Sequence, residues 1–424
     1  MMQGTIESIA FGGSGVLKSD GYVVFVPFTA PGDQVHIELV QKKKHYGVGK
    51  LVELQSPSPL RTTPPCPYFG KCGGCQLQHL SYAAQLEVKR KFIEDALQRI
   101  GKIQVVVPPV EPAPLTFGYR RHITLQLRAK EDQGFEAGYI GADGHTFLPI
   151  NTCPIFSEHD TAIFASLRPL LHQLSPKGIE RATLRLFKAA ASQYLLVLHT
   201  FPHLPQNAAI AKELLSAQPL WEGISFSSPR EQVAYGQASC HVEILGIKAT
   251  FALSGFLQNF PEQMEKIYRA ILDNVPESAQ RILDLYSGVG LTSLLLAQRK
   301  EAVVAVELHS ESTRIAVQNA HASGIHNVEF LTGKAEQLAP ELLQKHTFDA
   351  VLLNPPRTGV DPQLIQTLLN TRPHHLQYLS CMPATLARDL QALHQGGYTV
   401  AKIQAFDMFP QTTHVETLVT LTHE

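Results

Sequence analysis

Short runs in which apolar and polar residues alternate open the chain: TIESIAF, GVL, YVVFVPF, QVHIELVQ and GVGKLVEL, all within residues 1–56. A period of two predicts half-buried strands, and the breaks GGSG, SDG and TAPGD predict tight turns between them. About five such strands in so short a span predict a small closed barrel of the kind that binds oligonucleotides. SPSPLRTTPP then reads as a linker. In SYAAQLEVKRKFIEDALQRI (81–100) the pattern changes to helical spacing, with Leu86, Phe92, Ile93 and Leu97 on one side and Ser81 as the N-cap. A helix over 81–114 is expected to pack on the C-terminal part of the chain. Residues 115–255 are mixed, with more strand than helix (HITLQLRA, ATLRLF, YLLVLHTF), and predict an α+β unit.

From about residue 280 strands and helices alternate regularly. RILDLY, EAVVAVE, NVEFLTG, FDAVLLNPP and HLQYLS predict strands, and LTSLLLAQR and ESTRIAVQNAHASG predict two of the helices between them. Alternation of this kind predicts a parallel sheet with helices on both faces. GYTVAKIQAFDMF and HVETLVTLTH close it as an antiparallel pair. The division expected is 1–56, 57–255 and 256–424.

Composition narrows the class. A chain of 424 residues with 44% apolar and 17% charged residues can bury two or three cores and is not disordered. No long uncharged apolar run predicts a membrane span, and MMQGTIESIA has no signal-peptide pattern, so a cytoplasmic protein, monomeric by default, is expected. The net charge of -1 argues against a nucleic-acid binder until its distribution is read. Residues 61–130 hold 11 Lys+Arg against 4 Asp+Glu, a local +7, which leaves -8 elsewhere. That zone, with Lys42, Lys43 and Lys44, could supply a phosphate footprint, with Arg120 and Arg121 as candidate contacts; it could equally be a solvated helix face.

Five constellations carry chemistry. DLYSGVG (284–290) ends a strand with glycines that let a ligand approach the backbone, and Glu307 ends the next strand where a carboxylate can hold ribose hydroxyls. Ser293 stands where a dinucleotide site wants a third small Gly or Ala, so S-adenosylmethionine fits better than NAD; a plain turn is the bland alternative. NPPRTG (354–359) is a rigid loop after a strand, similar to that of amino-methyltransferases, but Arg357 stands where they carry an aromatic. Cys381 in LSCMP follows another strand; a lone Cys is usually a small buried hydrophobe, yet a thiolate there could add to C6 of a uracil and make C5 nucleophilic. Glu416 in HVE could be the general base that such a route requires, or a surface carboxylate. Cys66, Cys72 and Cys75, with Cys153 far downstream, form a thiol set suited to an iron–sulfur cluster, with zinc as the alternative; Cys240 reads as structural.

In their order along the chain these motifs resemble the RNA uracil-5-methyltransferase family. FGGSGVLKSDGYVVFVPFTAPGD is similar to a TRAM domain, an OB-like RNA-binding barrel. CPYFGKCGGC with Cys153 resembles the cluster motif of the ribosomal RNA branch and implies a [4Fe-4S] cluster in the central α+β domain. DLYSGVG, NPPRTG, SCMPATLARDL and DMFPQTTHVE resemble the motifs of a C-terminal Rossmann-like α/β methyltransferase domain. The resemblance implies Cys381 as nucleophile, Glu416 as proton-abstracting base, and Gln258, Tyr286, Glu307 and Asn354 around S-adenosylmethionine. It implies transfer of a methyl group to C5 of a uridine in structured RNA, 23S ribosomal RNA ahead of transfer RNA. Three positions depart from the family pattern: Asn354 replaces an Asp, Met382 replaces an Asn, and FLQNF displaces the Asn of FFQ-x-N. The departures leave a catalytically impaired RNA-binding member as an alternative. A radical enzyme is a third reading, disfavoured by the x5–x2 cysteine spacing and the fourth Cys.

Overall fold

The computed structural model describes all residues except 20, 132–133, 158–159, 175–178, 180, 191–192, 202–204, 218–219, 254–258 and 424. The N-terminal strands β1 (Met2–Ile9), β2 (Ser14–Ser19), β3 (Tyr22–Pro27), β4 (Gln34–Lys42) and β5 (Tyr46–Ser56) close in the order β1-β2-β3-β5-β4. The alternation seen in the sequence puts Ile6, Leu17, Val24, Val26, Val35 and Ile37 inside, each at 1% exposure or less. Asp33 ties the barrel to the linker: it accepts from the amides of Ala30 and Ser58 and from the Arg61 guanidinium. Burial opposes ionisation of Asp33, but these donors hold its pKa below the usual carboxylate range.

Helix α1 (Tyr82–Ala96) is capped by Ser81, which accepts from the Ala84 amide, and runs into a π-helical turn, Leu97–Gly101. The expected helix therefore stops well short of residue 114: Lys102 turns left-handed (φ 56°) and the following residues have no regular structure until Glu111 meets Phe406 in a parallel bridge. Next come β6 (His122–Ala129), β7 (Phe135–Ile140), β8 (Phe147–Pro149), α2 (Asp160–Gln173), β9 (Ala182–Ala190), β10 (Gln193–His199), α3 (Pro205–Ala217), β11 (Trp221–Ser227) and β12 (Gln232–Gly236). Their seven strands form one sheet, β12-β11-β10-β9-β6-β7-β8, parallel only between β10 and β11. The hairpin β13 (Ser239–Ile244) and β14 (Ile247–Ala252) is a separate pair, held to the next unit by a two-way bond between Thr250 and the Asn319 amide. Cys240 is buried within it.

The C-terminal unit runs α4 (Pro261–Asn274), β15 (Arg281–Leu285), α5 (Leu291–Ala297), β16 (Ala302–Glu307), α6 (Ser310–Ala322), β17 (Val328–Thr332), α7 (Ala335–Lys345), β18 (Ala350–Leu353), α8 (Pro362–Thr371), β19 (His375–Ser380), α9 (Pro383–Gln395), β20 (Thr399–Phe406) and β21 (Glu416–Thr422). The sheet order is β17-β16-β15-β18-β19-β21-β20, parallel through β19 and antiparallel at β21 and β20. The order reverses between β15 and β18, and open α/β sheets bind ligands at the carboxyl ends beside such a reversal. Ile93, Ala96 and Leu97 share a buried cluster with Leu386, Ala387 and Leu390 of α9, so α1 does pack on this unit. Among the described residues no helix is long and apolar enough to cross a membrane.

Candidate active site

At the carboxyl end of β15 the backbone leaves the sheet through a strained turn. Tyr286 has φ 66° and Gly290 φ 80°. A Cβ at Gly290 would lie 2.7 Å from Phe330 Cε1 and 2.9 Å from Ala316 Cβ, so only glycine fits there. At Gly288 (φ 59°) a Cβ would meet nothing, which leaves open space over the turn. Ser287 Oγ is buried with no partner. Glu307, ending β16, accepts from the amides of Gly288 and His309, each at 2.9 Å, so its carboxylate is pinned beside the turn. Asp284 is buried beneath it and accepts from Ser293 Oγ at 2.6 Å; burial pushes its pKa up to about 7. Asn354, exposed at the end of β18, bonds through its amide to the Leu285 carbonyl at 3.3 Å. An orphan hydroxyl, an open glycine face and an oriented carboxylate fit the nucleoside part of S-adenosylmethionine. Gln258 lies outside the described residues; its neighbour Asn259 accepts from the backbone of Arg121 and His122.

Two strands away stands a second group. β19 and β21 pair through Ser380 and Thr417, and one residue beyond on either strand are Cys381 and Glu416. Arg357, from the NPPRTG loop, carries its cation near Cys381 and lies 3.4 Å from His414 Nε2. Burial and the neighbouring Glu416 carboxylate push the Cys381 thiol up, and Arg357 pulls it back. Burial raises Glu416 to about 7, again against Arg357. Burial lowers His414 to about 4, so it is a neutral imidazole, and its Nδ1 has no partner. The Arg357 cation thus faces a thiol and a carboxyl that share one patch of low polarity, where charge is costly and a single proton matters. In the sequence, Arg357 marks only a departure from the amino-methyltransferase pattern. Its position three residues after Asn354, where those enzymes put a group against the base, was the available signal.

The loop before β21 is fastened from the N-terminal side. The Gln76 and Leu77 amides donate to the Gln411 carbonyl at 3.0 and 2.9 Å, and Tyr119 Oη donates to Pro410 at 3.0 Å. Gln411, at φ 71°, exchanges two hydrogen bonds with the Gln85 side chain. Lys89 Nζ lies 2.6 Å from Asp407 and 2.9 Å from the Phe409 carbonyl, with both ionic side chains fully buried.

Cys66, Cys72, Cys75 and Cys153 line one cavity of about 70 Å³ together with Arg120 and Tyr139. Among the described residues no three His, Cys, Asp or Glu side chains converge on a single metal-ion position. The four thiols surround a space instead. Burial, chiefly, and the neighbouring thiols push Cys75 up to about 11 and Cys153 up to about 12. Protonated thiols have little reason to gather in this way, whereas a multinuclear iron–sulfur cluster would bind them as thiolates. Arg120 brings a cation with an unpartnered Nε to the same wall. The donor set fits the cluster. Both candidate phosphate contacts are half-buried: Arg120 lines this cavity with its Nε buried, and the Arg121 guanidinium lies near the Lys188 carbonyl.

The basic zone is also less available than its net charge implied. Arg61, Lys89, Arg90, Lys91, Arg99 and Arg128 are all in ion pairs within the chain. Lys42, Lys43 and Lys44 are exposed at the β4–β5 turn.

Residues 247–424 match the family described as tRNA (uracil-5-)-methyltransferase, and residues 2–60 match the TRAM domain of tRNA (uracil(54)-C(5))-methyltransferase. An RNA methyltransferase of uncharacterised role from Protochlamydia amoebophila is 42% identical over 99% of this chain and 97% of its own. One from Thermosynechococcus vestitus is 35% identical over 98% and 97%. The tRNA (uracil-54, C5)-methyltransferase of Pyrococcus abyssi, solved with S-adenosyl-L-homocysteine, superposes with a TM-score of 0.78 at 26% identity, covering 99% of this chain and all of that one. The barrel is therefore a TRAM domain, the C-terminal sheet a methyltransferase fold, and the chain belongs to the RNA uracil-5-methyltransferase family, enzymes that use S-adenosylmethionine.

Proposed function

We propose that this enzyme methylates C5 of one uridine in a folded RNA through a covalent adduct on Cys381. The observation that carries this is the juxtaposition of Cys381, Arg357 and Glu416 at the β19–β21 pairing, on the sheet that carries the turn at Tyr286–Gly290 two strands away. S-adenosylmethionine supplies an electrophilic methyl on a sulfonium, with Glu307, Tyr286, Asn354 and Gln258 assigned to hold it. The uridine leaves its stack and enters the sheet edge. Cys381 gives up its thiol proton to solvent and adds to C6 as the thiolate, and the negative charge that develops on the ring faces the Arg357 guanidinium. C5 takes the methyl group as the sulfonium S–CH3 bond breaks, leaving a neutral thioether. Glu416 removes the C5 proton, the C5–C6 double bond reforms, and the thiolate departs.

The proposed target is 23S ribosomal RNA, because the cysteine motif resembles that of the ribosomal branch. The transfer RNA names of the matching family and of the Pyrococcus relative favour the second reading. Incubation with 5-fluorouridine-containing transcripts separates them: fluorine at C5 cannot leave as a proton, so the adduct is trapped. A slow-migrating band with ribosomal RNA fragments and none with transfer RNA is expected. The reverse pattern moves the target to transfer RNA, and no band with either defeats the covalent mechanism.

The same proposal assigns Cys66, Cys72, Cys75 and Cys153 as ligands of a [4Fe-4S] cluster that braces the central domain. Anaerobically purified protein should carry about four irons and four sulfides with thiolate-to-iron absorbance. Cys75→Ser should lose most of both. Zinc in place of iron would refute the cluster.

A further inference from the structure

The β1–β2 turn of the TRAM barrel reaches the candidate active site. Phe11, on this turn, is 45% exposed. Its ring nevertheless stands edge-to-face with Phe92 of α1 (centroids 5.5 Å, 73°) and with His414 (6.2 Å, 71°). His414 meets Phe409 in the same manner at 5.9 Å and lies 3.4 Å from the Arg357 guanidinium, whose charge acts on Cys381. The turn is fixed in this place. Gly13 has φ 93°, and a Cβ on it would come 2.6 Å from Gln76 Cβ, so the barrel backbone is wedged against the segment that follows Cys75. Hydrogen bonds from Gly13 to the Ala10 carbonyl and from Ala10 to the Ser14 carbonyl close the turn.

We propose that Phe11, with His414 behind it, is a stacking step at the mouth of the active site for a nucleobase that flanks the target uridine. This rests on the active-site reading above. A uridine turned out toward Cys381 leaves its neighbours with bare faces, and an aromatic ring takes up such a face whatever the base. The neutral His414 ring adds apolar surface without a charge to desolvate. The barrel then contributes more than phosphate attraction: it sets how far the strand advances into the site.

The test is equilibrium binding by the full-length protein of a stem-loop RNA with one loop uridine and 2-aminopurine on its 5′ or 3′ side. Stacking should quench the fluorophore on one side with wild-type protein. Phe11→Ala should lose the quench and bind about 10-fold more weakly, the scale of one base–aromatic stack. Phe11→Trp should restore both. Phe11→Leu retains apolar packing on Phe92, so it should keep the wild-type unfolding midpoint while binding like Phe11→Ala. An abasic site on the stacked side should weaken wild type about 10-fold and Phe11→Ala no further. Binding by Phe11→Ala within twofold of wild type, or equal abasic losses in both proteins on both sides, overturns the proposal. None of these readouts needs an adduct, so failure of the covalent mechanism would be seen separately.

Discussion

Replacing Cys381 by Ala is expected to reduce methylation by at least about 10⁴-fold, because removing a nucleophile removes the route and not merely a contact. Glu416→Gln should behave differently. Methyl transfer still occurs, but without a base the C5 proton stays and the thiolate cannot leave. Methylated RNA should therefore accumulate as a covalent adduct on ordinary uridine, with turnover down about 10²- to 10⁴-fold. A denaturing gel reads both outcomes: no band for Cys381→Ala on any RNA, and a band for Glu416→Gln without fluorine. The carboxyl, raised to about 7, also sets a pH dependence. The base acts when deprotonated, so adduct resolution in a single turnover should slow as pH falls below about 7, near tenfold per unit. Glu416→Gln should lack that limb. A Cys381→Ala enzyme working within tenfold of wild type would sink the covalent route.

Lys89→Ala should destabilise the fold by about 3–5 kcal/mol, because it leaves the Asp407 carboxylate buried without its cation. Lys89 and Asp407 are both at 0% side-chain exposure and 2.6 Å apart, and Asp407 Oδ2 already has no partner. Lys89→Met with Asp407→Leu should recover much of the loss, since removing both charges removes the cause. Urea unfolding monitored by circular dichroism checks this; a Lys89→Ala cost under about 1 kcal/mol would show that water or another cation reaches Asp407. The pair joins α1 to the loop that leads into β21, so the variant also measures how firmly that loop is anchored.

The departures from the family pattern read differently in three dimensions. Asn354 is exposed and tied to β15 through its backbone amide, a bond that Asp would make equally well. Met382 is at the N-cap of α9 and offers no side-chain cap bond; Ser380 Oγ accepts from its amide at 3.1 Å instead. Neither change disturbs the pairing that sets Cys381 beside Glu416.

Local physics made the barrel, the alternating C-terminal strands and helices, and the motif loops legible in the sequence. Period-two patterning, turn glycines and a Ser cap act over a few residues, so their consequences can be read from neighbours. The limit of that reading shows after Gly101, where a π-helical turn and a left-handed Lys102 end a helix expected to extend further. The electrostatics were not legible. Eleven cations in residues 61–130 implied an open basic face, but tertiary pairing engages Arg61 with Asp33 and Lys89 with Asp407, and turns Arg120 toward four cysteines. The chain alone identified Cys381, Glu416 and the cysteines as chemically capable groups. Only the tertiary structure decided that Cys381 and Glu416 come side by side, that the Arg357 cation acts on both, and that Phe11 of the barrel packs on the neighbouring His414. These contacts join residues tens to hundreds of positions apart, through sheet register and packing that no local pattern encodes.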